Sequence, residues 1–116
     1  MTTNTIDLTT ESFDTAVSTG LSVVDFWASW CAPCRAMAPQ LERAAASRPG
    51  YRFAKVNVDE QPAVAARFGI HSVPTLIVFV DGQPVAAQIG VIRADQLADA
   101  LDRLQQTHQR AIADPA

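Results

Sequence analysis

Cys31 and Cys34 are the only cysteines in a chain of 116 residues, and they stand three positions apart in Trp30-Cys31-Ala32-Pro33-Cys34. Random placement would give that spacing only about one time in fifty, so it needs a cause. Two chemistries use such a pair: exchange between dithiol and disulfide, or half of a metal site. A structural zinc site takes four ligands, and beyond the cysteines only His71 and His108 are available. His71, three residues before Pro74, reads as a surface residue near the reactive end of the molecule. The pair is therefore read as a redox-active dithiol, with no metal and no cofactor other than its own disulfide.

The pair follows the apolar run Val23-Val24-Asp25-Phe26-Trp27-Ala28 and precedes a helical pattern. The first amides of a helix have no internal partner, and its aligned dipoles favour negative charge, so a thiolate placed there is stabilised. Cys31 is accordingly expected to be the low-pKa nucleophile. Cys34, one turn further on the same side, is expected to be more covered and to act as the resolving thiol. Within the Ala32-Pro33 spacer, the proline sits where a missing amide donor matters least. No histidine or other cation in the spacer adds to thiolate stability, which points to a reductant rather than an oxidant.

Other residues bear on the pair. Asp25 is a lone carboxylate in an apolar strand, and burial would raise its pKa. It is expected to take the proton of Cys34 during resolution; the bland alternative is a satisfied structural carboxylate. Lys55, the single lysine, is either a partner of Asp25 or a strand-end cation snorkelling to solvent. Val73-Pro74 opens a strand, either as a cis peptide presenting the Val73 backbone to substrate or as an ordinary trans proline. Gly90 permits close backbone approach or simply forms a turn.

The elements that must hold these residues follow from periodicity. Ile6 to Leu8 reads as a short strand, and Thr9 to Ser12 as the cap of a short helix through Phe13, Ala16 and Val17, closed by Gly20. Leu21 to Ala28 is a strand apolar on both faces, as in a parallel sheet covered by helices. Arg35 to Ser47 is helical around an internal Pro39, and Tyr51 to Val58 is a strand, completing a βαβ unit. A short helix over Asp59 to Phe68, a strand from Val73 to Val80, a tight turn at Asp81-Gly82 and a strand from Val85 to Ile89 come next. An amphipathic helix from about Arg93 carries Leu97, Leu101 and Leu104. Thr107 to Ala116 is polar and expected to fray, so one domain is drawn over residues 1–107, with a tail at 108–116. The class is α/β.

A formal charge of −3, with eight arginines and one lysine scattered along the chain, gives no basic field for nucleic acid or an anionic membrane. No apolar run approaches the roughly 20 residues of a membrane helix. The N-terminus lacks a basic start followed by an apolar core, so no secretory signal is expected and a cytoplasmic location is the default.

Asp25-Phe26-Trp27-Ala28 with Trp30-Cys31-Ala32-Pro33-Cys34, Lys55-Val56-Asn57-Val58-Asp59, Val73-Pro74-Thr75, Phe79 with Asp81-Gly82, and Gly90 resemble the thioredoxin family in order and spacing. The resemblance extends from Ile6 to Leu104. It implies the thioredoxin fold, a central five-stranded mixed sheet flanked by four helices. It further implies that Cys31 is the nucleophile, that Cys34 resolves, that Asp25 and Lys55 tune the pair, and that Pro74 is cis and faces the disulfide. Trp30, Ala32, Pro33, Val73, Pro74, Gly90 and Val91 then form the substrate groove. The implied partners are disulfide-containing proteins and a thioredoxin reductase, with the chain acting as a monomer. Two positions depart from the family pattern: Ala32 replaces a glycine, adding bulk beside Cys31 and favouring the helix start, and Arg35 replaces a lysine while keeping its charge. Alternatives in other classes are a binding module of the same fold without turnover, and an oxidase or isomerase of an oxidising compartment.

Overall fold

A computed structural model of the chain describes residues 3–113, with side chains through Gln109. Strands β1 (Ile6–Asp7), β2 (Leu21–Trp27), β3 (Arg52–Asn57), β4 (Thr75–Val80) and β5 (Gln83–Ile89) form one sheet in the order β1-β3-β2-β4-β5. Helices α1 (Phe13–Val17), α2 (Ala32–Ser47), α3 (Pro62–Arg67) and α4 (Ala94–Ala113) complete it. β3 runs parallel to both β1 and β2, whereas β4 is antiparallel to β2 and to β5. This is the mixed five-stranded sheet with four helices that the family resemblance implies.

β2 is the strand on which both layers close. Its alternating side chains split between two cores. Leu21 and Val23 pack with Met37 and Leu41 of α2 and with Leu97 and Leu101 of α4. Val24 and Phe26 pack with Phe13 and Val17 of α1 and Val64 of α3. Each large side chain buried in this way contributes about 1.5–3 kcal/mol. Asp25 follows the alternation of Leu21 and Val23, so its carboxylate is carried under α2.

Boundaries differ from the sequence reading where local hydrogen bonds compete with periodicity. α2 begins at Ala32, before the first apolar repeat, because Cys31 serves as its N-cap, and it continues through Pro39. α3 is shorter than Asp59 to Phe68, since Asn57 Oδ1 accepts the amides of Asp59 and Glu60 at 3.0 and 3.3 Å and turns the chain there. β5 starts at Gln83 directly after Asp81-Gly82, whose φ values of 50° and 83° give the two positive dihedrals of a two-residue hairpin turn. α4 runs from Ala94 to Ala113, through much of the stretch read as a tail. No proline or glycine stands between Ala94 and Asp114, and His108 Nε2 lies 3.1 Å from Asp81 Oδ2 at the hairpin tip. Residues 114–116 of that tail lie outside the described residues.

Candidate active site

The end of β2 and the start of α2 meet at the cysteines. Cys31 is extended (φ −95°, ψ 110°) and caps α2, its Sγ accepting the Cys34 amide at 3.2 Å. Pro33 occupies the first turn, where the absent N–H leaves nothing unpaired. The two residues are joined as a disulfide with Cα atoms 5.3 Å apart, within the range such a bond spans. Both are 4 % exposed, so the greater coverage expected of Cys34 is not found. The cap separates them instead: the Cys31 sulfur receives an amide donor and the field of the helix start, conditions that stabilise its thiolate.

Val73 closes over the pair. Its carbonyl oxygen lies 3.5 Å from Cys31 Sγ, and its side chain packs against the small buried cluster of Ala28, Cys31 and Cys34. The Val73–Pro74 peptide is cis and Pro74 is buried. The Pro74 carbonyl accepts the Gly90 amide at 2.9 Å, and Gly90 takes a φ of 91° there. Gly90 and Val91 are thereby fastened beside Pro74, and Ala32 and Pro33 are exposed on the first turn of α2. Exposed apolar side chains adjoin these segments in the chain: Trp30 beside Cys31 at 68 %, and Ile89 at 69 % and Val91 at 46 % on either side of Gly90. The Trp30 indole donates from Nε1 to Asp59 Oδ2 at 2.9 Å. A cleft of about 370 Å³ runs from Trp30 and Val58 past Ile70, His71 and Ser72 to Val73.

Asp25 is 1 % exposed, and among the described residues neither of its carboxylate oxygens has a hydrogen-bond partner. Burial pushes its pKa from 3.8 up to about 6, while the positive charge of Lys55 opposes the rise. Lys55 is the register neighbour of Asp25 on β3, yet no ion pair joins them among the described residues. Its ammonium sits 4.7 Å from the centroid of the Trp27 ring. Lys55 thus acts on Asp25 through space and not by contact.

Two contributors escaped the sequence reading. Trp27 reads as part of the apolar strand, although its ring carries the Lys55 ammonium and its indole Nε1 is buried with no partner among the described residues. Asp59 closes the motif Lys55-Val56-Asn57-Val58-Asp59, but its hold on Trp30, 29 residues earlier, has no local signature. Among the described residues no three His, Cys, Asp or Glu side chains converge as a metal site, and no helix is long and apolar enough to cross a membrane.

A disulfide between a helix N-cap and the residue one turn on can be opened by an incoming thiolate and re-formed by its neighbour. Fold and site together define a thiol-disulfide oxidoreductase whose redox-active group is its own cysteine pair. The thioredoxin family model matches residues 4–103. Thioredoxins of Staphylococcus aureus strains MW2, N315 and COL are each 46 % identical to the chain over 99 residues, covering 84 % of this chain and 95 % of the relative. The chain belongs to the thioredoxin family.

Proposed function

We propose that the chain is a protein-disulfide reductase. The observation that carries this reading is the Cys31 sulfur at the N-cap of α2, accepting the Cys34 amide at 3.2 Å. The Cys31 thiolate attacks one sulfur of a substrate disulfide: a bond forms between Cys31 and that sulfur, the substrate S–S bond breaks, and the departing thiolate takes a proton from solvent. Cys34 then gives its proton to the Asp25 carboxylate and attacks Cys31 Sγ. The mixed disulfide breaks, the second substrate thiolate leaves, and the Cys31–Cys34 disulfide forms, so two electrons pass from the dithiol to the substrate. A thioredoxin reductase returns two electrons, and two protons restore the dithiol.

Asp25, ionised above about pH 6, has the basicity this step needs near neutrality. Lys55 tunes it. Trp30, Ala32, Pro33, Val73, Pro74, Gly90 and Val91 supply the surface on which an extended substrate segment lies, with backbone groups of Val73 available to it. The chain acts as a cytoplasmic monomer on disulfide-containing proteins. The test is reduction of an insulin-type disulfide with a coupled reductase, together with the equilibrium potential against glutathione. Cys31→Ser abolishes turnover, whereas Cys34→Ser accumulates the mixed disulfide. A potential at or above that of the glutathione pool would overturn the assignment as a reductant.

A further inference from the structure

β3 lies between β1 and β2, and the strand registers set Asp7 opposite Lys55 and Lys55 opposite Asp25. Register partners on neighbouring strands point to the same face, so the three side chains form one row across the sheet. The only lysine of the chain stands between two carboxylates, one exposed and one buried. Neighbouring strands are about 4.8 Å apart, which places the Lys55 backbone equally far from each. Its ammonium rests on Trp27, and no ion pair among the described residues joins it to either. Asp7 and Lys55 line the same cleft of about 280 Å³, together with Trp27 and Glu60.

We infer that Asp7 is a positioning residue which, through Lys55, sets the pH at which Asp25 accepts the proton of Cys34. The inference rests on the reading of Asp25 as that acceptor. A carboxylate at position 7 draws the Lys55 ammonium toward the solvent end of the row and cancels part of its field at Asp25. Both effects favour the protonated form of Asp25. Among the described residues, Glu60 is the other charged group lining this cleft, and Glu42 of α2 bonds the segment that enters β1. Glu42 is already held by the Asn4 amide at 2.9 Å and the Thr5 hydroxyl at 2.8 Å. Otherwise α2 presents apolar residues, Met37 and Leu41, to this face. Asp7 is exposed, so solvent screens it and the effect is a few-fold rather than many-fold.

The experiment is a carboxyl-carbon NMR titration of Asp25 in the intact oxidised protein, paired with the pH profile of mixed-disulfide resolution. Asp7→Asn lowers the proton affinity of Asp25 roughly three-fold, and Asp7→Lys lowers it further. In a Lys55→Met background the effect of Asp7→Asn shrinks to less than half. An Asp25 midpoint unmoved by Asp7→Asn, or moved equally in both backgrounds, overturns the inference. A resolution profile that shifts with the midpoint supports both the row and the proton role of Asp25. A midpoint that moves while the profile stays still upholds the row and overturns that proton role.

Discussion

Asp25 works against the stability of the fold that holds it. A carboxylate buried without a partner is easier to protonate in the folded chain than in the unfolded one, with a pKa of about 6 against 3.8. Between these values the native state binds more protons. Relative stability from this residue is therefore full below pH 3.8, is lost as the pH rises through 6, and stays lost above it. Two units correspond to about 3 kcal/mol. Asp25→Asn is expected to be more stable than the parent by about that amount at pH 8 and no different near pH 3, as urea unfolding across the range will show. The same variant has no carboxylate to receive the Cys34 proton, so mixed-disulfide resolution at neutral pH should slow by about tenfold or more, measured by rapid quench. Residue types alone revealed this much: two cysteines at helical spacing, a lone acid in an apolar strand, a proline at a strand start. They did not reveal that Asp25 meets no cation directly or that Trp30 is held by Asp59, because both facts depend on side chains converging from different strands and loops.

Among the elements, the short ones depend most on their surroundings. α1 has only five residues, too few for an isolated helix to persist, and it is held by Phe13 and Val17 inserted into the core. The Phe13 ring sits 5.3 Å from that of Phe68 and 5.5 Å from that of Phe79, the latter edge to face. Phe13→Ala should cost about 3–5 kcal/mol in denaturant unfolding, since the cavity lies between α1 and the sheet. The hairpin gives a smaller and cleaner effect. Gly82 has a φ of 83°, and an added Cβ would meet nothing closer than 3.8 Å, so Gly82→Ala tests backbone strain alone. It should lower stability by about 1–2 kcal/mol without changing the rate of disulfide reduction. Periodicity made these elements legible because each buries a face, and Asp81-Gly82 announced its turn by chemistry. It misplaced their ends for the complementary reason: the start of α3 follows a turn in which Asn57 accepts the Asp59 and Glu60 amides, and the late turns of α4 are tied to Asp81 through His108, contacts that leave no apolar pattern.

Across the whole molecule the chemistry is concentrated at one pole. β2 begins beside the hairpin tip, where Asp81 Oδ1 accepts the Gly20 amide at 2.7 Å, and it ends at the turn carrying the cysteines. Seven residues of strand separate the two by roughly 20 Å. The late turns of α4 reach the distal pole, where His108 meets the same Asp81. His108→Ala should speed amide hydrogen exchange in the last turns of α4 and at Gly20 while leaving exchange around Cys34 unchanged. That arrangement bears on how the molecule can be attached to something else. A linker joined after α4 leaves from the end remote from the disulfide, so the chain can be immobilised on an electrode or fused ahead of another domain with its reactive face turned outward.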